Sequence, residues 1–340
     1  MKVINVLGID LAKDVFQLHG SDKAGRAVLQ KQLRRGGLLD FVRKLPPCII
    51  AMEAQGSSHY WGREFIKMGH RVKLIAPQFV TPFVKSNKND RVDAEAIVEA
   101  SVRPNMRFVP IKTIEQQEIQ FFHRLRTRLV RQRTALSNEV RSFLYELGIA
   151  IPKSVFNIRK YLSAFESQGS GLSLQMKAIL SQVQQELTDT DQRIETIEKK
   201  LKTIASTNEL CVKVQKIPGI GVITSTAIVA AAGKAKEFKN GRQFAAWLGL
   251  VPRQHSSGGK NILLGISKRG SPYIRSLLVQ GARAMMQKTP NKSDYLSRWV
   301  EKKRESRGPN KACVALANKN ARMAWAMLAK EEEYRTPKAA

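Results

Sequence analysis

Residues 3–32, VINVLGIDLAKDVFQLHGSDKAGRAVLQKQ, hold three strand patterns in succession with no helical period between them. Val3–Ile9 is an apolar run broken only by Asn5, as in a strand buried on both faces, and Asp14–His19 alternates, with Val15, Gln17 and His19 on one side. Arg26–Gln32 follows the turn-like segment GSDKAG. Downstream the pattern predicts a helix over Gly37–Leu45, a buried strand at Cys48–Met52, a helix at His59–Met68 and a strand at Val72–Ile75. The basic, polar segment Val84–Arg91 then leads into a helix from about Arg91 to Val102. Three strands and then helix–strand–helix–strand–helix is the order of a ribonuclease-H-like mixed sheet. A Rossmann sheet would carry a Gly-rich phosphate loop after its first strand, and Leu11–Asp14 supplies none.

That order gives meaning to four carboxylates. Asp10 ends the first strand and Glu53 ends the strand Cys48–Met52, so both project from a sheet edge. Asp90 and Asp93 stand three apart at a helix start, hence on one face, where either could also serve as a helix cap. Acidic residues are scarce in a chain with 58 Lys and Arg against 28 Asp and Glu. Carboxylates repel phosphates, so gathering several of them in a phosphate-binding protein makes sense with a divalent cation between. Two such ions about 4 Å apart stabilise the attacking and leaving oxygens of an in-line displacement.

The formal net charge of +30 is spread along all 340 residues and points to nucleic acid, because no single amphipathic segment concentrates it as a membrane-binding helix would. Cys48, Cys211 and Cys313 are odd in number and lack metal-ligand spacing, which argues against a disulfide framework or zinc site. With no secretory signal or membrane-length apolar run, the expected location is the cytoplasm.

Four segments are expected: a catalytic domain over 1–110, an Arg-rich helix and coiled coil over 111–207, a mainly helical domain over 208–329, and a polar tail over 330–340. His123–Leu147 carries Arg124, Arg126, Arg128, Arg131, Arg133 and Arg141 against only Glu139 and, at its end, Glu146, and Arg124, Arg128 and Arg131 are candidates for nucleic-acid contact. Met176, Leu180, Val183, Leu187, Thr190, Ile194, Ile197, Leu201 and Ile204 alternate steps of four and three, the seam of a coiled coil. Its partner is either the Arg-rich helix folded back or another protomer. Ile217–Gly221, IPGIG, has the form of a helix-hairpin-helix turn, in which Gly219 and Gly221 let backbone approach a phosphate. In His255–Lys260, HSSGGK, a serine in a Gly-rich loop lies among Arg253, Lys260, Lys268 and Arg269, which suits a phosphodiester nucleophile, although SSGG is also a common solvated turn. No third residue completes a hydrolase triad with His255. Asn320 interrupts the Ala-rich helix Lys311–Leu328 and is expected to touch no motif.

Taken in order, GIDLAKDVF, MEAQG, NDRVDAEAIVEA, IPGIG and WLGLVPRQHSSGGKNILLGISKRG closely resemble the transposases (recombinases) of the insertion-sequence 110 family, particularly their 1111 subgroup, from residue 5 to about 285. The resemblance implies a RuvC-like first domain with a catalytic tetrad on Asp10, Glu53, Asp90 and Asp93, holding Mg²⁺ with Mn²⁺ as the alternative. It implies a coiled coil and a C-terminal transposase domain whose nucleophilic serine falls on Ser257, with adjacent Ser256 as the other choice. It further implies donor and target DNA as substrates, a structured guide RNA from the element, and a dimer or tetramer in which domains of different protomers complete each active site. The rival expectations are a metal-dependent junction-resolving nuclease using water, a DNA-inverting recombinase, and a non-enzymatic architectural binder.

Overall fold

A computed structural model describes residues 3–84, 90–164, 171–290 and 292–335. The chain forms two compact units, Met1–Ile114 and Glu115–Ala340. The helices expected over 111–207 and the domain expected over 208–329 thus share one unit.

The first unit is built on a six-stranded mixed sheet in the order β3-β2-β1-β4-β5-β6, from β1 (Val6–Asp10), β2 (Val15–Ser21), β3 (Ala27–Arg34), β4 (Ile49–Glu53), β5 (Arg71–Ile75) and β6 (Phe108–Val109). β1 pairs antiparallel with β2 and parallel with β4, which is parallel to β5; β6 closes the edge antiparallel. The predicted strands and helices thus lie within a few residues of their expected bounds. Strand alternation sorts side chains between two cores. Leu7, Ile9, Ile50 and Met52 pack with α1 (Leu38–Arg43) and α2 (Ser58–Lys67) through Leu38, Val42, Trp61 and Phe65. Val6 and Ala51 face the other way, against the four-residue α3 (Pro77–Val80) and against Ala96, Ile97 and Ala100 of α4 (Asp90–Ser101). Gly8 lies on this second face, where a Cβ would stand 2.5 Å from the Ala94 carbonyl oxygen and 2.6 Å from Val98 Cγ2. The missing side chain is what lets α4 press directly onto β1.

In the second unit α5 (Ile114–Glu146) and α7 (Leu174–Thr207) run antiparallel, each spanning about 50 Å at 1.5 Å per residue. Ion pairs set the register: Arg126 with Glu198 at 2.6 Å, and Arg133 with Asp191 at 2.8 Å. Val140 and Leu144 meet Leu180 and Leu187 at one end, where α6 (Val155–Leu162) adds Ile158 and Leu162. Ile119 meets Leu201 at the other. The partner of the heptad seam is therefore the preceding Arg-rich helix. Only every second seam position, Leu180, Leu187, Ile194 and Leu201, is fully buried.

α8 (Glu209–Gln215), α9 (Val222–Ala232), α10 (Gly241–Trp247), α11 (Pro272–Met286), α12 (Tyr295–Arg307) and α13 (Pro309–Ala329) enclose the largest core. α9 itself carries apolar residues or small hydroxyls on every face, as befits a central helix. Alanines 312, 317, 321 and 324 let α13 approach its neighbours closely. His123 joins three helices: its Nδ1 lies 2.9 Å from Tyr273 Oη and its Nε2 3.0 Å from Thr226 Oγ1. Burial first, and the Arg126 charge second, push the His123 pKa down to about 4 from 6.5. A depressed pKa means that the unfolded chain binds the proton more tightly, so its contribution is complete above pH 6.5 and is lost as pH falls toward 4. The loss amounts to about 3 kcal/mol. His123→Gln is expected to flatten this part of the stability-versus-pH curve in denaturant titrations; an unchanged slope would show that other groups carry it.

Candidate active site and nucleic-acid surface

Strand parity puts Asp10 and Glu53 on the same face of the sheet as Gly8 and Ala51, the face covered by α4. Because the Ala94 carbonyl rests over Gly8, Asp93 is carried to the C-terminal edge of β1. The resulting proximity is felt at Glu53, whose pKa is raised by burial first, then by the Asp10 carboxylate and then by that of Asp93. Three of the four expected carboxylates thus share one electrostatic neighbourhood. Asp90 begins α4, but its side chain lies outside the described residues, as does most of the basic segment before it. Among the described residues no three acidic, histidine or cysteine side chains close into a complete metal cage. Mutual repulsion at a partly buried site is nonetheless the condition a divalent cation relieves, and the all-oxygen donor set suits a hard ion such as Mg²⁺ or Mn²⁺.

HSSGGK, expected as a flexible loop, is the tip of a hairpin between β7 (Pro252–Ser257) and β8 (Lys260–Ile266). Gly258 and Gly259 both have positive φ, 55° and 78°, the requirement of a tight two-residue turn. The pairs Ser257↔Lys260, Ser256↔Asn261, His255↔Ile262 and Gln254↔Leu263 fix which residues share a face. Ser257, Lys260, His255 and Ile262 lie on one side; Ser256, Asn261, Gln254 and Leu263 lie on the other. Ser256 Oγ accepts a hydrogen bond from Gln254 Nε2 at 2.7 Å. The whole blade is exposed, while its base is fixed: Ser267 N donates to Val251 O at 2.8 Å, and Arg275 donates to the carbonyls of Leu248 and Arg269. Lys268 and Arg269 are exposed beside that base.

The arginines of α5 separate by task. Arg126 and Arg133 hold α7, and Arg141 donates to Asn138 and to the Ser154 carbonyl. Arg124, Arg128 and Arg131, at steps of four and three, are exposed on one stripe. In the IPGIG turn, Gly221 is exposed at the start of α9, but Gly219 is committed to packing, since a Cβ there would stand 2.9 Å from the Gly281 carbonyl oxygen. Buried Asn320 donates from Nδ2 to Pro218 O at 2.9 Å, contrary to the expectation that it touches no motif. A polar residue buried in an alanine helix was the sequence signal for that bond.

Among the described residues no helix is long and apolar enough to cross a membrane. Residues 7–149 match the DEDD transposase model of the IS110 type, described as a transposase, and residues 211–297 match the model described as transposase, IS116/IS110/IS902 family. The chain is 47% identical to a probable family 20 transposase of Pseudomonas aeruginosa, over 97% of this chain and 98% of that one. It is 46% identical to the transposase for insertion sequence element IS1111A of Coxiella burnetii, over 98% and 92%. With the transposase for IS1328 of Yersinia enterocolitica the identity is 42%, over 96% and 97%. These matches span both units, so the chain belongs to the IS116/IS110/IS902 family and is a DNA transposase, a member of the branch that includes the IS1111A enzyme.

Proposed function

We propose that the protein mobilises its own insertion sequence by strand transfer through a 5′-phosphoserine intermediate, using a RuvC-like, ribonuclease-H-like domain and the β7–β8 hairpin. The observation that carries the first half is the raised pKa of Glu53, caused by burial and by two neighbouring carboxylates at strand and helix ends. The strand order supports the same reading. Asp10, Glu53, Asp90 and Asp93 would hold the divalent ion, Mg²⁺ or Mn²⁺. When bound, the ion neutralises the scissile phosphate and lowers the cost of charge developing on its oxygens.

The serine half rests on the hairpin. Ser257 shares its face with Lys260 and His255, whereas Ser256 faces away and its hydroxyl is already engaged by Gln254. Lys260 offers a cation to a non-bridging phosphate oxygen and favours ionisation of the serine beside it. In the proposed step the Ser257 hydroxyl gives up its proton and its oxygen bonds to phosphorus. The bond from phosphorus to the 3′ oxygen breaks, and that oxygen leaves as a hydroxyl. A 3′-hydroxyl from another strand then attacks the phosphoserine, the Oγ–P bond breaks, and the serine regains a proton. Phosphodiester energy is conserved throughout, so no nucleotide triphosphate is consumed.

The α5 stripe of Arg124, Arg128 and Arg131, with Gly221 at the α9 start and Lys268 and Arg269 beside the hairpin, would bind the backbone of donor and target DNA and of a structured guide RNA. Gly219 would support that surface through its packing. Replacing the three α5 arginines by alanine is expected to weaken binding to all sequences alike. It should also reduce the slope of log affinity against log salt by about 3, close to one per lost phosphate contact. An unchanged slope in fluorescence anisotropy would remove this surface from the nucleic-acid path. Since α5 itself covers the α7 seam, the heptad pattern supplies no argument for a second copy; the dimer or tetramer of the proposal would need another surface.

The deciding experiment incubates full-length protein with Mg²⁺, RNA transcribed from the element's non-coding end, and nicked recombination-site oligonucleotides. A denaturing gel then reports protein covalently joined to DNA. An adduct with wild-type protein that disappears in the Ser256/Ser257 double alanine is the expected result. Cleavage without an adduct would favour a water-using junction nuclease, and binding without cleavage an architectural role.

A further inference from the structure

The β7–β8 hairpin leaves apolar and polar groups in water on both faces. Leu263 is 65% and Ile262 53% exposed, and an isolated two-stranded ribbon of this kind is marginal by itself. Its surroundings specify the charge of whatever covers it. No Asp or Glu occurs between Glu237 and Asp294, while Arg253, Lys260, Lys268 and Arg269 all fall on the ribbon or at its base. A two-stranded ribbon also has the width that the major groove of a DNA duplex admits.

The face away from Ser257 carries a defined set of hydrogen-bonding groups. Gln254 Nε2 donates to Ser256 Oγ at 2.7 Å and to Asn261 Oδ1 at 3.3 Å. These bonds occupy donors on Gln254 and an acceptor on Asn261. They leave Gln254 Oε1 as an acceptor and Asn261 Nδ2 as a donor, held in one cluster. Adenine presents the complement in the major groove, an N6–H donor next to the N7 acceptor. Leu263, directly across from Gln254 and on the same face, is an apolar neighbour for the methyl group of a paired thymine.

We propose that Gln254 and Asn261, oriented by Ser256, read an A·T pair in the major groove of DNA, and that this face of the hairpin sets base preference independently of the Ser257 face. The proposal requires only that the substrate is DNA, so it stands or falls separately from the phosphoserine mechanism. Ser256 acts here as a positioning residue, and its nearness to Ser257 in sequence hides that the two point to opposite sides.

The test needs no catalysis. Full-length protein in EDTA is mixed with short duplexes randomised over a central block, and the bound fraction is recovered and sequenced. Wild-type protein is expected to enrich A·T over G·C about tenfold at one or two adjacent positions. Gln254→Ala and Asn261→Ala should each lose that enrichment, while the salt dependence of binding to bulk duplex, set by Lys and Arg, keeps its slope. Ser256→Ala should blunt the preference and Ser256→Thr, which retains the hydroxyl, restore it. Equal enrichment by wild type and the Gln254/Asn261 double alanine would overturn the proposal, as would no enrichment by wild type. Self-association of the wild type abolished by Leu263→Ser, without any base preference, would also overturn it by identifying a second copy as the occupant.

Discussion

Ser257→Ala is expected to eliminate the covalent protein–DNA adduct and to lower strand transfer about 10³-fold or more, whereas Ser256→Ala should still form the adduct. The difference follows from hairpin register. A side chain in a strand alternates sides with its neighbour, so the two serines cannot address one phosphate from the same blade. Ser257 has Lys260 directly across from it, and ionisation of a hydroxyl on the same face as an ammonium is the easier course. The Ser256 oxygen is an acceptor for Gln254, and its proton has no cation beside it on that face. Ser257→Cys should retain a weak adduct, because a thiol can occupy the same position. An adduct that survives Ser257→Ala and is lost in Ser256→Ala would reverse the assignment. Since both residues are exposed, neither alanine variant should alter the melting temperature.

Asp10→Asn is expected to reduce strand transfer by a similar factor, about 10³-fold, while leaving the metal-free protein more stable than wild type at neutral pH. The opposing signs distinguish a metal site from an ordinary structural carboxylate. Glu53 carries a raised pKa partly because Asp10 is charged beside it. A raised carboxylate pKa costs stability that grows as pH rises through the folded-state value, and neutralising Asp10 removes part of that cost. With Mg²⁺ at about a hundredfold excess over its dissociation constant, wild type should gain about 2.7 kcal/mol and Asp10→Asn much less. Scanning calorimetry with and without EDTA reads both effects; a destabilised Asp10→Asn protein with a normal Mg²⁺ response would place the metal elsewhere. Gly8→Val provides the contrast. Its branched side chain would collide with Ala94 O and Val98 and lift α4, and with it Asp93, from the strand. Activity and stability should then fall together, the latter by about 1–3 kcal/mol.

The sheet of the first unit was legible in the sequence because each strand has one strong instruction. Val3–Ile9 is apolar but for Asn5 and supplies most of a central strand, and the helices after it carry a clear apolar stripe. The heptad seam was legible for the same reason, but periodicity describes only one side of an interface. Its partner became identifiable through Arg126–Glu198 and Arg133–Asp191, pairs separated by most of the helical hairpin. Two parts of the candidate site were less readable. The β7–β8 ribbon is exposed on both faces, so burial imposes no alternation on its strands, and SSGG alone does not distinguish a tight turn from an open loop. In IPGIG, Gly219 satisfies the sequence requirement for a close approach, but what approaches it is Gly281 of α11. A glycine pattern announces proximity without naming the neighbour.

The hairpin is fastened at its base and free along its length. Residues 253–265 contribute nothing to the hydrophobic clusters among the described residues, whereas Leu250, Val251 and Ile274 on either side belong to the main core or pack against it. Substitutions on the blade therefore carry little folding penalty, and the scaffold that presents it is insulated from them. If the blade reads DNA as proposed, such a division would let a lineage of mobile elements drift in the sequences it enters while its folding machinery stays constant. Under the proposed DNA contact, the part of the molecule most open to evolutionary change would be the part that meets the genome.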